Sequence, residues 1–180
     1  MGRRVADVAG LIAERGGKVP INFASELEDR TLRIFATSLE PIPGVEWFLE
    51  VHRDIPRCIA SSSSHARLAA SLDRLGFADW FKDRIFSVDD VERGKPFPDL
   101  FLHAARVMQT DPTDTLIIED SVGGVTAGVA AGMQVVGLLA GTHLGHDYSV
   151  RLLEAGAAAI ARSYADLSDW MAQNQGVPVT

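Results

Sequence analysis

Beyond residue 44 the chain alternates short apolar runs with segments of helical spacing, and this alternation constrains the fold more than any other feature. Four apolar runs predict buried strands: Cys58–Ala60, Ile85–Phe86, Leu116–Ile118 and Gln134–Leu138. The segments between them carry apolar residues three or four positions apart, which predicts helices, and residues 148–171 predict a last helix, strand and helix. Short apolar strands that alternate with helices favour a parallel sheet covered on both faces. The predicted fold class is therefore α/β, with a doubly wound parallel sheet.

The front of the chain has a different pattern, which predicts a partial helical cap. Apolar residues repeat there at helical spacing, and a second helix is predicted from about Ser25, because Ser25-x-x-Glu28 has the pattern of a capping box. Two helices of this length bury little by themselves and need another body to pack on. The Pro41-Ile42-Pro43-Gly44 hinge then separates a cap, residues 1–41, from a core, residues 42–180.

Composition narrows the classes of function. A formal net charge of -7 argues against a nucleic-acid backbone as the main partner. No apolar run approaches the roughly 18 residues that a membrane span needs, and the first residues lead into no secretory apolar region. The single cysteine, Cys58, excludes an internal disulfide and a cysteine-based zinc site. We therefore expect a cytoplasmic protein with no nucleic-acid or membrane partner and a site that is metal-independent or uses oxygen ligands.

Polar side chains stand at or near the predicted carboxyl ends of the strands, where ligands bind in open parallel sheets. Ser61 follows the first predicted strand, and Glu119 and Asp120 follow the third. Lys95 lies between them in a Gly-Lys-Pro turn. Mg²⁺ takes one or two carboxylates together with water and substrate phosphate. A lysine ammonium suits phosphoryl oxygens, and Ser61, with the backbone amides that begin at Ser62, could hold a phosphate at a helix start.

Each of these groups also has a purely structural interpretation. The Asp120-Ser121 pair could be a helix cap favoured by the helix dipole. The Gly-Lys-Pro sequence around Lys95 is by itself a turn with a solvated lysine, and a serine run before a helix is usually a cap. The order and spacing of all three groups carry more information than any one of them.

Three motifs, taken in this order, resemble motifs two, three and four of the haloacid dehalogenase-like hydrolases. They are Ala60-Ser61-Ser62-Ser63, Gly94-Lys95-Pro96-x-Pro98-Asp99 and Glu119-Asp120-Ser121-x-x-Gly124. Within that superfamily the chain is similar to the β-phosphoglucomutase and sugar-phosphate phosphatase branch, which carries a small helical cap near its amino terminus. The resemblance covers nearly the whole chain and implies a Rossmann-like core.

The resemblance also implies a role for each matching residue. Ser61, together with Ser62, would hydrogen-bond the transferring phosphoryl group, and Lys95 would neutralise that group and orient the nucleophile. Asp120, with Glu119, would hold Mg²⁺ directly or through water. The implied activity is a Mg²⁺-dependent phosphatase acting on a small phosphorylated metabolite such as a sugar phosphate. A phosphomutase is the near alternative.

Two arginines near the start, Arg3 and Arg4, stand where the family has a substrate-contacting cap loop. Arginine suits bidentate recognition of phosphate, which makes both residues candidate substrate contacts. The alternative is a solvated, frayed terminus.

One departure from the family pattern bears directly on activity. Family members begin with an apolar strand that ends in Asp-x-Asp, whose first aspartate attacks phosphorus, and this sequence contains no Asp-x-Asp. Without that carboxylate the route through an aspartyl-phosphate is closed, so we expect the chain by itself to be inactive. The absent strand lies at the centre of the family sheet, and its loss would uncover both neighbouring strands.

Two explanations of this departure follow. The chain is an N-terminally truncated enzyme, which we favour because every other matching position is intact, or a catalytically dead remnant that binds a phosphorylated ligand or a partner. Self-association through the uncovered sheet is a further expectation.

Overall fold

The computed structural model describes residues 5–140 and 148–174, with the side chains of residues 5–9 excepted. Within these residues five short strands alternate with helices, and every strand pairing is parallel. No helix among the described residues has the length and apolar character needed to cross a membrane.

The predicted strands and helices appear in the predicted order, with boundaries that differ by one or two residues, and the structure adds two short helices, Val45–Val51 and Ala78–Phe81, that the sequence analysis does not predict. The strands are β1 Ile59–Ser61, β2 Ile85–Ser87, β3 Leu116–Glu119, β4 Gln134–Leu138 and β5 Ala159–Ala161. The helices are α1 Val5–Glu14, α2 Phe23–Ser38, α3 Val45–Val51, α4 His65–Leu75, α5 Ala78–Phe81, α6 Asp99–Met108, α7 Val122–Ala130, α8 Tyr148–Glu154 and α9 Tyr164–Gln173. Short 3₁₀ turns precede α6 and β3, at Val88–Asp90 and Pro112–Asp114.

Helix α2 does not begin where the sequence pattern predicts. It starts at Phe23 after Asn22, and the Ser25 hydroxyl donates to the Asn22 carbonyl oxygen at 2.9 Å, so Ser25 is a first-turn residue and not a cap. The capping-box prediction is therefore wrong, because Ser25 bonds to a carbonyl behind it instead of accepting an amide ahead of it. No residue of α2 is buried, although the helix lies against α4.

The strands form two separate parallel sheets. β1 pairs with β2 so that Ala60 lies opposite Phe86. The other sheet has the order β3-β4-β5, with Ile117 opposite Val135 and Val136 opposite Ala159. β1 and β3 are thus the inner edges of two half-sheets, and in the described part of the chain no strand lies between them.

Helices cover both faces of each half-sheet, as expected for a doubly wound α/β fold. On one face of β3-β4-β5 a core forms around residues of α6, α7 and α8, with Val125 and Leu152 fully buried. On the other face α3 and α9 pack through Phe48 and Leu167. The predicted fold class is confirmed.

Two helices reach across the gap between the half-sheets. In α3, Phe48 packs with the β4 and β5 side chains while the adjacent Leu49 packs in a cluster beside β1 and β2. In α6, Leu100 packs with Phe86 of β2 while Phe101 packs with the β3–β4 core. We call the gap bounded by β1, β3, α3 and α6 the slot; it has a volume of about 560 Å³.

The half-sheet core allows a test with neighbouring residues of α8. Leu152 is fully buried and Leu153 is 48% exposed. We expect Leu152→Ala to lower the free energy of unfolding by about 2–5 kcal/mol, because it leaves a cavity in the core, and Leu153→Ala to change it by less than about 0.5 kcal/mol. Urea unfolding measures both values, and equal losses would contradict this packing.

Candidate active site

The residues that the sequence places at strand ends line the slot together. Ser61 ends β1, Glu119 ends β3, Asp120 follows it, and Lys95 lies in the turn before α6; all four contribute to the wall of the slot. The Lys95 ammonium bonds both to the Ala60 carbonyl in β1 and to the Glu119 carboxylate at the end of β3, so β1 and β3 end at the same end of the slot. The four groups therefore lie together at that end. The structure therefore brings together a hydroxyl, an ammonium and two carboxylates.

Lys95 is buried, with 8% of its surface exposed. Its Nζ donates to the Ala60 carbonyl oxygen at 3.1 Å and to Glu119 Oε1 at 2.6 Å, and it lies 4.6 Å from the centre of the Phe101 ring. A buried ammonium needs such partners, because desolvation penalises an unpaired charge. This placement excludes the interpretation of Lys95 as a solvated turn residue.

The Glu119 carboxylate is held on both oxygens. Oε1 accepts from Lys95, and Oε2 accepts from the backbone amides of Asp120 at 2.7 Å and Ser121 at 2.9 Å and from the Ser121 hydroxyl at 3.2 Å. Burial by itself would raise the pKa of Glu119, but the Lys95 charge and these hydrogen bonds outweigh it, and the pKa is lowered. Glu119 is therefore an ionised carboxylate with a fixed orientation.

Asp120 has the opposite electrostatic character. Burial, followed by the negative charge of Glu119, raises the pKa of the Asp120 carboxyl. Tyr164 lines the same slot, and burial followed by the charge of Asp120 raises the pKa of its hydroxyl. The amino-terminal cap of α7 is Ser121, whose hydroxyl accepts a hydrogen bond from the Gly124 amide at 3.0 Å. The interpretation of the Asp120-Ser121 pair as a helix cap therefore applies to Ser121 and not to Asp120.

The serine run turns from β1 into α4. The Ser61 hydroxyl accepts from the Ser63 amide at 3.1 Å, and Ser64 caps α4 by accepting from the Arg67 amide at 3.4 Å. The Ser62 hydroxyl is buried, and within the described residues it has no hydrogen-bond partner. Ser61 thus lies at the slot, while the Ser63 amide is already engaged by Ser61.

The contact between this loop and α2 is not predicted by the sequence analysis. The Ser64 hydroxyl donates to the Glu28 carboxylate of α2, and Arg67 Nε lies 3.9 Å from Glu28 Oε2. The Arg67 guanidinium also lies over the Phe35 ring of α2, 5.6 Å from its centre. Glu28 and Phe35 are seven residues apart and so share one face of α2, which is the signal that could have identified this contact surface.

The candidate substrate contacts Arg3 and Arg4 lie outside the described residues.

The donor set fits a hard divalent cation held in part by other ligands. No group of three or more His, Cys, Asp or Glu side chains in the described chain is arranged to bind a metal. Mg²⁺, however, commonly takes only one or two protein carboxylates and completes its shell with water and phosphate. Asp120 is accessible to solvent, and the pKa of its carboxyl is raised first by partial desolvation and then by the negative charge of Glu119, which a cation would offset.

Comparisons with known proteins add to this geometry. The model of the haloacid dehalogenase-like hydrolase family matches residues 3–132. The 6-phosphogluconate phosphatase of Escherichia coli K12 is 33% identical over 111 residues, which are 62% of this chain and 50% of that protein. The chain therefore spans half the length of this relative.

Solved structures are similar over most of the chain. A haloacid dehalogenase family hydrolase of Deinococcus radiodurans, solved with bound phosphate and sodium, is 32% identical with a TM-score of 0.76 and covers 96% of this chain and 77% of its own. A β-phosphoglucomutase-like protein of Thermotoga maritima is 28% identical with a TM-score of 0.72, covering 90% of this chain and 74% of its own.

The close approach of Glu119 to α7 gives one prediction. A Cβ atom at Gly124 would lie 2.0 Å from Glu119 Cδ and Oε1, whereas a Cβ at Gly123 would meet no atom within 4 Å. We expect Gly124→Ala to displace the Glu119 carboxylate and lower the free energy of unfolding by about 1–3 kcal/mol. Gly123→Ala should leave it unchanged or raise it by up to about 1 kcal/mol, since alanine favours a helix. Urea unfolding distinguishes the two, and equal effects would contradict the close approach.

The pKa of Glu119 is lowered and that of Asp120 is raised, which gives a second prediction on the stability of the metal-free protein, measured in the presence of a chelator. Glu119→Gln should lower the free energy of unfolding at pH 7 by about 3–5 kcal/mol, because Lys95 stays buried without its counter-charge. This loss should be complete above pH 4.5, the usual value for the group, and should shrink as the pH falls through the lowered pKa of Glu119.

Asp120→Asn should instead raise the free energy of unfolding at pH 7. Its carboxyl has a raised pKa in the folded state, so the ionised form opposes folding, and the gain from removing it should grow as the pH rises above 3.8. Unfolding curves of both variants against pH measure these slopes. Changes of the same sign at pH 7 would contradict the assigned charges.

Proposed function

Because the chain belongs to the haloacid dehalogenase-like hydrolases, we propose that it carries the phosphate- and metal-binding part of a Mg²⁺-dependent phosphatase for small phosphorylated metabolites such as sugar phosphates. The observation that carries the proposal is the meeting of Ser61, Lys95, Glu119 and Asp120 at one end of the slot. The substrate class follows relatives such as the 6-phosphogluconate phosphatase. The family and its branch were recognised correctly from the three sequence motifs.

We assign each residue a role by its surroundings. Asp120 would hold Mg²⁺, which when bound supplies positive charge to the phosphoryl oxygens. Both oxygens of Glu119 are engaged by Lys95 and by donors around Ser121, so Glu119 orients Lys95 and adds negative charge beside the metal. The Lys95 ammonium would neutralise phosphoryl oxygens, and Ser61, supported by the adjacent Ser62, would donate a hydrogen bond to them.

The nucleophile is the part of the mechanism that residues 1–180 do not provide in the family's form. The sequence contains no Asp-x-Asp. Positioning and charge neutralisation can bind a phosphate ester, but phosphoryl transfer also needs an attacking group. We propose that the chain is part of a longer enzyme in which residues 1–41 are the remaining portion of a cap and residues 42–180 are a core without its first strand.

The alternative function is a phosphoryl-ligand binder without catalysis, favoured by the same absence of Asp-x-Asp. The two functions predict the same binding and differ only in turnover. A phosphomutase would use the same residues with a sugar phosphate as acceptor.

Binding by the chain itself tests the assigned roles. We expect Mg²⁺ to raise the melting temperature and inorganic phosphate to bind in its presence, measured by thermal unfolding and calorimetry. Asp120→Asn should abolish the Mg²⁺ effect, while Asp73→Asn, on the exposed face of α4, should preserve it. Ser61→Ala should weaken phosphate binding by about 10–100-fold, the effect of losing a hydrogen bond to a charged group. Ser71→Ala is the control, since that hydroxyl donates to the Arg67 carbonyl within α4.

Two outcomes would overturn the assignment. One is an Mg²⁺ effect that persists in Asp120→Asn, and the other is phosphate binding that is unchanged in Ser61→Ala. A third measurement tests the proposal that the attacking group lies outside residues 1–180. If these residues hydrolyse an aryl phosphate and the Lys95→Met variant does not, that proposal is wrong. Binding without turnover agrees with that proposal.

A further inference from the structure

We propose that Ser87, the last residue of β2, is a positioning residue for phosphate binding, because its hydroxyl holds Ser63 in the orientation that directs the Ser61 hydroxyl into the slot. The inference rests on the proposed function, in which Ser61 donates to a phosphoryl oxygen. Ser87 lies outside the described wall of the slot, so it acts through Ser63 and not by touching a ligand.

The Ser87 hydroxyl is engaged both as an acceptor and as a donor. Ser87 is fully buried, and a buried hydroxyl is costly unless it is hydrogen-bonded. Its oxygen accepts from the Asp89 amide at 3.1 Å, and its proton is donated to the Ser63 carbonyl oxygen at 2.8 Å. An amide N–H can only donate and a carbonyl oxygen can only accept, so the direction of both bonds is fixed. The hydroxyl therefore ties the end of β2 to the loop that follows β1.

Ser63 transmits this constraint to the slot. Its carbonyl oxygen accepts from Ser87, and its amide donates to the Ser61 hydroxyl oxygen at 3.1 Å. Because Ser61 is the acceptor in that bond, its hydroxyl keeps its own proton for another acceptor. Ser61 lines the slot, where a phosphoryl oxygen would be that acceptor. The three serines thus form a series in which each hydrogen bond orients the group that makes the next one.

The register of β1 and β2 explains why the support comes from Ser87. Ser61 and Ser87 lie directly opposite each other in the strand pair, so both strands end at the same level. The chain then leaves β1 and turns through Ser63 before α4 begins at His65. Residues 62–64 lie beyond the strand ladder, where backbone groups depend on side chains and turns for their hydrogen bonds. A hydroxyl at the end of the neighbouring strand is placed to supply one.

Ser87 also has a purely local role, which does not account for its bond to Ser63. It caps the 3₁₀ turn at Val88–Asp90: its oxygen accepts from the Asp89 amide, and the Asp90 carboxylate accepts from the Ser87 amide at 2.7 Å. Capping uses the hydroxyl only as an acceptor. The donation to Ser63 is a second use of the same hydroxyl, directed out of its own turn and into the loop beside the slot.

Asp90 provides a matched control in the same turn. Its carboxylate accepts from the Ser87 amide and pairs with His65 Nε2 at 2.8 Å. Replacing Asp90 by alanine removes both contacts but leaves the Ser87 hydroxyl to donate to the Ser63 carbonyl. Asp90→Ala therefore perturbs the turn without removing the proposed link.

Calorimetry with inorganic phosphate in the presence of Mg²⁺ tests the link on the unmodified chain and its variants. We expect Ser87→Ala to weaken phosphate binding by about 3–10-fold, the effect of losing one hydrogen bond. Asp90→Ala should change the phosphate affinity by less than about twofold. The rise in melting temperature caused by Mg²⁺ should persist in Ser87→Ala, because Asp120 follows β3 in the other half-sheet, whereas general disruption of the fold would diminish it.

A double variant tests whether Ser87 acts through Ser61. Residues that belong to one hydrogen-bond series have effects that do not add. We therefore expect Ser61→Ala combined with Ser87→Ala to bind phosphate as weakly as Ser61→Ala alone, within about twofold. Two independent contributions would instead multiply their losses.

Amide hydrogen exchange tests the geometry without any ligand. The Ser63 amide should exchange at least about tenfold faster in Ser87→Ala than in the unmodified chain, because its bond to Ser61 loosens when the Ser63 carbonyl is released. Asp90→Ala should leave this rate within about threefold of the original.

Four results would overturn the inference. They are an unchanged phosphate affinity in Ser87→Ala, equal losses in Ser87→Ala and Asp90→Ala, losses that multiply in the double variant, and an unchanged exchange rate at Ser63. Each of them leaves the proposed function standing if Ser61→Ala still weakens phosphate binding. An unmodified chain that binds no phosphate, or a Ser61→Ala variant that binds it equally well, would overturn the inference together with the proposed function.

Discussion

The ion pair between Lys95 and Glu119 is the interaction on which the rest of the site depends. It joins the ends of two half-sheets that share no strand pairing in the described chain, and it lies where solvent is nearly excluded. A buried pair of this kind contributes geometry more than net stability, since desolvation offsets much of the attraction. The ion pair affects the residues around it. Glu119 stays ionised, and its charge, together with burial, raises the pKa of Asp120. The Glu119 side chain also fills the space beside α7, so that only glycine fits at position 124.

Much of the architecture could be predicted from the sequence because its signals are local. Each predicted strand is an apolar run whose burial depends on its own composition, and Leu116–Ile118 lies within one residue of the observed β3. The convergence of Ser61, Glu119 and Asp120 follows from their positions at or directly after strand ends, because parallel strands place their carboxyl ends together. The burial of Lys95 could not be predicted in this way, because the Gly-Lys-Pro sequence is identical whether its lysine faces solvent or a carboxylate.

Features that depend on distant contacts could not be predicted in the same way. The start of α2 was placed at Ser25 because a capping pattern describes only four residues, while the Asn22 carbonyl decides where Ser25 bonds. The spacing of Glu28 and Phe35 marks one face of α2, but it does not indicate the partner of that face, since Glu28 contacts Ser64, which lies 36 positions away in the sequence. The pKa shifts of Glu119 and Asp120 likewise arise from burial and mutual charge, which appear only when the chain is folded.

The division of the sheet has a consequence for how the described part of the chain unfolds. β1 pairs only with β2, and β3, β4 and β5 pair only among themselves, so every strand pairing in the described residues joins neighbours in sequence. The pair β1–β2 and the sheet β3–β4–β5 therefore form two locally closed units, which in the described part of the chain are linked by α3, α6 and the Lys95–Glu119 ion pair. Such units can unfold separately, and cooperativity between them depends on how tightly two helices clamp them. A strand that joined both edges would convert two weakly coupled units into a single cooperative one.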